Sequence, residues 1–488
     1  MNGLTILLVI VIYFACLVLI SYLVGKKHTE NAAFFLGNRK SPWFAVALGM
    51  LGASISGVTF VSVPGMVRGF DMTYMQMVLG FLAGYAVITF VLLPIYYKLN
   101  VTSIYTYLEK RIGKNSYKTG AAFFLLSRTI LAAVRLYLAV LILQTYVFDA
   151  MGVPFVVTAT GFLFMIWLYT HKSGVKALVW TDILQTLVLL TALVIIFYQV
   201  SKGLNLDFSG IVNTIKESSH SRIFVFDDWY SRQNFFKQFI SGCFVTIAMT
   251  GIDQEMMQKN LSCRNLKDAQ KNMFTLSLFF IPVNFLFLCL GILLLNYASA
   301  NGIVLPELSD DILPKLVADG YFGNIAILLF IVGIIAVTFA SADSALTGLT
   351  TSISVDLLNV NKYKEDKAKK IRLAVHLSVS LAFIVIMVIF KAINNTSVID
   401  AIYTIASYTY GPLLGLFAFG ILFKRQTNDK YVPYICILAP IICFGLNKIL
   451  IASFNYQLGY ELLIVNAALV LAGLLLFSKK SLTSFHHL

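Results

Sequence analysis

Charge is scarce in this 488-residue chain. Asp, Glu, Lys and Arg make up 12% of it and hydrophobic residues 59%, with a mean hydropathy of +0.82. Soluble domains carry about twice that share of charge, so the balance excludes a water-soluble globular protein of this size and points to the membrane. Cysteine is rare as well. Cys16, Cys243, Cys263, Cys289, Cys436 and Cys443 are scattered, mostly inside apolar runs, and none forms a C-x-x-C pair, so they read as packing residues with no disulfide or thiolate metal site implied. No nucleophile-base constellation or metal-ligand cluster stands out, and a lone histidine such as His376 is an ordinary packing residue; an enzyme is not indicated. Soluble linkers and low-complexity segments are also missing, the longest polar stretches being about 201–233 and 301–321.

What fills the chain is apolar sequence. A span needs roughly 20 apolar residues to cross a core about 30 Å thick. Thirteen segments qualify: 4–24, 42–66, 72–96, 120–147, 153–170, 175–199, 235–257, 273–298, 322–356, 372–390, 398–423, 432–453 and 458–477. Segment 4–24 lacks a basic leading region and an obvious cleavage site and has the length of a full span, so it reads as a retained helix and not a signal peptide. The net charge of +14 would suit nucleic acid, but its position argues otherwise. Lys26, Lys27, Arg39 and Lys40, then Lys98, Lys110, Arg111, Lys114 and Lys118, then Lys259, Arg264, Lys267 and Lys271, then Lys362 to Arg372 fall in loops on one side, as the positive-inside rule expects of the cytoplasm. Loop 301–321, with Glu307, Asp310, Asp311 and Asp319 against Lys315, lies on the other. Thirteen spans place the N-terminus outside and the C-terminus in the cytoplasm. The tail from Ser478 to Leu488 is too short for a signalling domain. The partners implied are a lipid bilayer and no nucleic acid; oligomeric state is left open.

Two clusters of small and polar residues interrupt these runs about 190 residues apart: Leu51-Gly52-Ala53-Ser54-Ile55-Ser56-Gly57 and Ile247-Ala248-Met249-Thr250-Gly251-Ile252-Asp253-Gln254. In hydrocarbon a helix opens only where its freed carbonyls meet protein, an ion or a cavity, and paired interruptions in two halves are the mark of a transporter. Buried ionisable residues are the next signal. Asp182, about two turns into the sixth span, requires a cation or strong donors, whether from a bound ion or from a neighbouring hydroxyl or interfacial water. In the ninth span, Ser341, Asp343, Ser344, Thr347, Thr350, Thr351, Ser352, Ser354 and Asp356 form a polar stripe; Ser341 and Ser344 share a face and can join carbonyls around a hard cation, although Ser and Thr also serve helix packing. The stretch Phe224 to Ser231, aromatic and acidic, reads either as a lid against the outer mouth or as an ordered surface loop.

Taken in order, Phe34-Phe35-Leu36-Gly37-Asn38-Arg39-Lys40-Ser41-Pro42-Trp43, Gly52 to Gly57, Val179-Trp180-Thr181-Asp182, Asp253-Gln254 with Gln258 to Asn265, and Ser341-Ala342-Asp343-Ser344 resemble the sodium/solute symporter family, which includes sugar, proline and sialic acid carriers. The match covers roughly 5–425; the last two spans agree mainly in hydropathy. The resemblance implies an all-α, leucine-transporter-like fold of two inverted five-helix repeats, about 42–200 and 235–424, with one extra helix in 1–25 and two in 431–478. It further implies a sodium site on the carbonyls of Gly52, Ile55 and Val337 and the hydroxyl of Ser341. Ala340 stands where the family usually has another hydroxyl. Some members have a second sodium site, matching Asp182, Asp343 and Ser344 here. With a hydroxyl lost and a carboxylate gained, a second ion is either held more strongly or replaced by a proton.

Substrate belongs at the midplane between the broken helices, which nominates Ser54, Ser56, Thr59, Gln76, Thr246, Met249, Thr250 and Gln254. Arg135 lies near mid-membrane, and a guanidinium is shaped for bidentate capture of a carboxylate, which favours an anion; sialic acid carriers similarly place an arginine on the corresponding helix. The other readings of Arg135 are pairing with Asp182, Asp343 or a carbonyl, or snorkelling toward the cytoplasmic side as at Arg128. The function expected is sodium-driven import of a small solute, a sugar acid such as sialic acid first, with a neutral sugar, amino acid or monocarboxylate next. A sensor or channel on the same scaffold is the rival from another class. A bacterial inner membrane is the simplest location.

Overall fold

A computed structural model describes residues 3–25, 31–393 and 397–480. Lys26, Lys27 and the tail 481–488 lie outside the described residues. Among the described residues, nine helices are long and apolar enough to cross a bilayer, or eleven when each of two bent pairs is one span. Two shorter apolar helices, Phe155–His171 and Leu462–Leu476, fall on the expected fifth and thirteenth segments. A helix of 15 residues rises only about 22 Å, short of the hydrocarbon thickness, so length and apolarity by themselves establish eleven spans and not thirteen.

The bent pairs are the two interrupted stretches. Trp43–Ser54 and Gly57–Phe70 meet at 55°, and Phe235–Gly251 and Gln254–Asn260 at 70°, so the second broken helix runs to Asn260, three residues beyond the expected end. The first breaks because Ile55 (ψ 82°) and Ser56 (ψ 170°) leave helical geometry. The second opens through a π turn over Ile247–Gly251 and then an extended Asp253, whose carboxylate accepts from Met256 N at 3.1 Å to start the next helix. Both are sheathed by other helices, and every residue from Ile55 to Val67 is buried.

Small residues let the sheath close. The Tyr74–Val87 helix crosses Phe235–Thr246 backbone to backbone: a Cβ on Gly80 would lie 2.1 Å from the Phe239 carbonyl, and one on Gly242 2.2 Å from the Met77 carbonyl. Between helices in lipid, where hydrophobic burial supplies no net drive, this close approach supplies the packing.

Short polar contacts fix the ends. At one end Ser41 N donates to Ser262 O at 3.0 Å, and Gln258 Nε2 donates to Phe35 O at 2.6 Å and Thr351 Oγ1 at 2.8 Å, tying the entry of the first broken helix to the exit of the second. The strand Arg425–Thr427 pairs antiparallel with Ser478–Lys480, Gln426 opposite Lys479. In the acidic loop 301–321, Asp310 accepts from Val398 N at 2.8 Å and Ser397 Oγ at 3.0 Å; burial raises its carboxyl above the usual carboxylate range while those bonds pull it back. The stretch Phe224 to Ser231 is an ordered surface loop: Val225 N donates to Gln76 Oε1 at 3.0 Å, whereas Trp229 and Tyr230 are 61% and 82% exposed. Its aromatic rings do not fold over the interior.

Gly80→Val should therefore cost about 1–3 kcal/mol or abolish folded protein, measured as thermal unfolding in detergent. Gly161→Ala, whose added Cβ meets nothing within 4 Å, should leave the transition in place.

Candidate ion and substrate site

The first break leaves carbonyls without helical partners. Ending a helix at Ser54 frees the carbonyls of its last turn, and of these Ala53 O alone is met by a side chain among the described residues, Ser341 Oγ at 3.4 Å. Val337 reaches the same place: a Cβ on Gly57 would lie 3.6 Å from Val337 Cγ1 and 3.0 Å from Thr338 Oγ1. Gly52, Ile55, Val337 and Ser341 thus surround one break. Thr338, one turn before Ser341 on the same face, was not singled out from sequence; its buried hydroxyl has no hydrogen-bond partner among the described residues. The i, i+3 hydroxyl spacing was the signal available.

The second break is satisfied differently. Tyr96 Oη donates to Gly251 O at 2.9 Å, Tyr105 Oη to Ile252 O at 3.1 Å, and Tyr410 Oη to Asp253 Oδ2 at 2.5 Å. Three tyrosines from three other helical elements occupy the groups that an ion would need.

Between the breaks lies a cavity lined by polar, aromatic and charged side chains. Ser54, Arg135, Thr246, Met249 and Thr250 line it, together with Tyr85, Phe81, Phe280 and Tyr403, which sequence reasoning missed because an aromatic in an apolar span is indistinguishable from core. Ser56, Thr59, Gln76 and Gln254 are not among its lining. Ser56 precedes the second half of the broken helix, and Thr59 is buried a turn further on. Gln76 is turned outward, donating to Gln233 O at 2.8 Å and Thr73 O at 3.2 Å. Gln254 faces the inner loop, accepting from Ile104 N at 2.9 Å and donating to Thr102 O at 2.8 Å. Each amide is spent on loop backbone, which corrects their nomination as substrate ligands.

Two arginines reach this cavity. Arg128 does not snorkel; it is 2% exposed and ion-paired with Glu255. Arg135 pairs with neither Asp182 nor Asp343, and no carboxylate among the described residues forms an ion pair with it; its Nε has no partner. Arg135 is partly exposed and lines the cavity, so its guanidinium is available to an anion.

Asp182 finds its cation within the chain. Lys259, expected in a cytoplasmic loop, lies in the second broken helix, 2% exposed, and its ammonium donates to Asp182 Oδ2 at 2.6 Å. Asp182 Oδ1 remains without a partner. Asp343 accepts from Tyr169 Oη at 2.6 Å and Ser344 Oγ at 3.1 Å, and is within electrostatic reach of both Asp182 and Lys259. Asp182, Asp343 and Ser344 therefore form a cluster separate from the one around Ser341. Among the described residues, no group of three or more His, Cys, Asp or Glu forms a metal site, so any cation here would be held by carbonyls, hydroxyls and single carboxylates.

Two broken helices around a mid-membrane cavity define a secondary transporter of leucine-transporter-like architecture, an integral membrane protein. The model of the Sodium:solute symporter family matches residues 34–430, and the chain belongs to that family; membership carries use of sodium. The sodium/sialic acid symporter SiaT of Proteus mirabilis (strain HI4320) is 24% identical over 436 residues, 86% of this chain and 85% of that protein. The human sodium/iodide cotransporter is 24% identical over 405 residues, 81% of this chain and 62% of that protein. A solved outward-open, substrate-bound structure of a sodium-coupled sialic acid symporter superimposes with a TM-score of 0.83 at 21% identity, covering 98% of this chain and 99% of that one.

Ser341→Ala removes the side-chain hydroxyl that meets a carbonyl of the first break. The sodium concentration for half-maximal uptake should rise about tenfold, the equivalent of losing roughly 1.4 kcal/mol. An unchanged sodium dependence in proteoliposomes would move the ion elsewhere.

Proposed function

We propose that this chain imports a singly charged organic anion with sodium, a sugar acid such as sialic acid being the best candidate. The observation that carries the reading is Arg135, lining the cavity with no carboxylate among the described residues paired to it. Sialic acid and iodide, named for the two relatives, are both single anions. Tyr85, Thr250, Thr246 and Ser54 supply hydroxyls around the same space, and Phe81 and Phe280 supply the apolar wall a sugar ring requires. The protein acts as a carrier and not as an enzyme, sensor or channel.

The working parts follow. The inverted repeats are 42–200 and 235–424, flanked by the helix in 1–25 and the pair in 431–478. The N-terminus is outside and the C-terminus cytoplasmic, in a bacterial inner membrane. Sodium sits on the carbonyls of Gly52, Ile55 and Val337 and the hydroxyl of Ser341. Because a ligand shifts a conformational equilibrium only by its differential affinity, sodium raises solute affinity by favouring the outward-facing arrangement of the first break against the ninth span. One sodium with one monoanion moves no net charge. A second cation, at Asp182 Oδ1, Asp343 and Ser344, would restore electrical drive worth about 2.3 kcal/mol per 100 mV.

Uptake of labelled sialic acid into proteoliposomes, with proline, glucose and a monocarboxylate as comparators, tests this. Accumulation of the acid should require an inward sodium gradient, and Arg135→Ala should weaken it at least tenfold through substrate affinity. Sodium-driven uptake of a neutral solute, unaffected by Arg135→Ala, would discard the anion assignment; uptake indifferent to sodium would discard the coupling.

A further inference from the structure

The cavity holds two arginines, yet they differ in charge environment. Glu255 is 1% exposed, and its Oε2 takes both Nε and Nη2 of Arg128. Asp253 adds a second carboxylate 3.9 Å from Arg128 Nε, its own oxygens already accepting from Met256 N and Tyr410 Oη. Among the described residues Arg135 has no such partner. Glu255 is also held from behind. A Cβ on Gly348 would lie 2.7 Å from Glu255 Cβ, so the ninth span closes on the glutamate's stem and leaves it no room to swing away from the guanidinium.

From this asymmetry we infer that Glu255 sets the valence of the substrate: by compensating the charge of Arg128 at the cavity wall, it leaves one open guanidinium and restricts the site to anions carrying a single negative charge. The inference rests on the anion reading of Arg135. A doubly charged solute would place its second carboxylate against Arg128, where Glu255 already occupies the donor edge. That carboxylate meets either a like charge or an apolar wall, and both penalise it. A singly charged solute presents its carboxylate to Arg135 and its hydroxyls elsewhere. Glu255 therefore discriminates by exclusion, and Arg135 by attraction. Neither Arg128 nor Glu255 was nominated from sequence, and Arg128 alone has the appearance of a second anion receptor.

The test compares matched pairs that differ by one carboxylate: sialic acid with its 9-carboxy derivative, gluconate with glucarate, lactate with malate. Binding to the purified full-length chain in sodium would be followed by displacement of labelled sialic acid and by ligand-induced thermal shift. The wild type should prefer the single anion of each pair by about tenfold or more. Glu255→Gln should narrow or reverse that ratio by about tenfold, because Arg128 then presents its free edge to a second carboxylate. The double variant Arg128→Gln/Glu255→Gln removes the pair together and should keep the wild-type preference, which also serves if the single variant fails to fold. Parity between single and double anions in the wild type overturns the inference. So does a folded Glu255→Gln with an unchanged ratio, or a double variant that turns to dianions. If no singly charged member of any pair binds the wild-type chain, the anion reading itself falls; if they bind and Arg135→Ala abolishes them while the ratios ignore Glu255, only the valence assignment does.

Discussion

Every other feature of this molecule depends on how its two interrupted helices satisfy backbone groups where no water is available. Opening a helix in hydrocarbon exposes carbonyls whose desolvation costs several kcal/mol each unless partners appear. The two breaks answer that demand in opposite ways. At the second, Tyr96 and Tyr105 donate to the freed carbonyls of Gly251 and Ile252 and Tyr410 to the carboxylate of Asp253, so the turn is complete without any ligand. At the first, Ser341 meets only Ala53 O, at the long distance of 3.4 Å, and the carbonyls beside it have no side-chain partner among the described residues. A break whose oxygens are left over is a site for a hard cation; a break whose oxygens are capped is a hinge or a wall. The unmatched oxygens thus lie at the first break, where Ser341 of the ninth span meets it.

Buried charge is organised by the same logic. Lys259 answers Asp182 at 2.6 Å, and Glu255 answers Arg128, while Arg135 stays open. Removing either partner of such a pair would strand an ion in a medium that cannot hydrate it, so the pairs are rigid fixtures. Both sit on the inner half of the second broken helix, Gln254–Asn260, which carries Glu255 and Lys259 one turn apart on a single face. That short helix sends a carboxylate toward the cavity and an ammonium toward Asp182, and its capping residue, Asp253, is gripped by Tyr410. A motion of this element would change the electrostatics of the solute cavity and of the Asp182 cluster together.

The sequence shows the membrane class, the two breaks and the family because hydropathy, small-residue clusters and family motifs are local along the chain. It conceals pairings made between segments far apart. Lys259 looks like one more cytoplasmic lysine beside Arg264, and nothing near it reveals a carboxylate 77 positions away. Arg128, about two turns into its apolar run at 120–147, looks free to snorkel. Gln76 and Gln254 have the right depth and chemistry for a ligand site, but they are committed to loop backbone that only the assembled fold brings near. Tyr85 and Tyr403 fail for the converse reason: in a chain this rich in aromatics, a cavity-lining ring carries no mark of its own.

The location of the uncompensated charge bears on how ion and solute are coupled. Ser54 lines the cavity and Ala53 borders it, while the carbonyls on either side of them belong to the open break that faces Ser341. One backbone segment therefore serves both ligands. On the proposed assignment, sodium at those carbonyls would fix the angle between the two halves of the helix, and that angle would set where the Ser54 hydroxyl stands relative to Arg135. Coupling of this kind needs no pathway through the protein. It requires only that the bent form of the 51–57 segment be the one both ligands prefer, so that each stabilises it for the other by the same factor. The positive ion and the anion would then lie on opposite faces of a single turn of chain, close enough for their mutual attraction in a low-dielectric site to reinforce the preference, and the carrier would return across the membrane either with both or with neither.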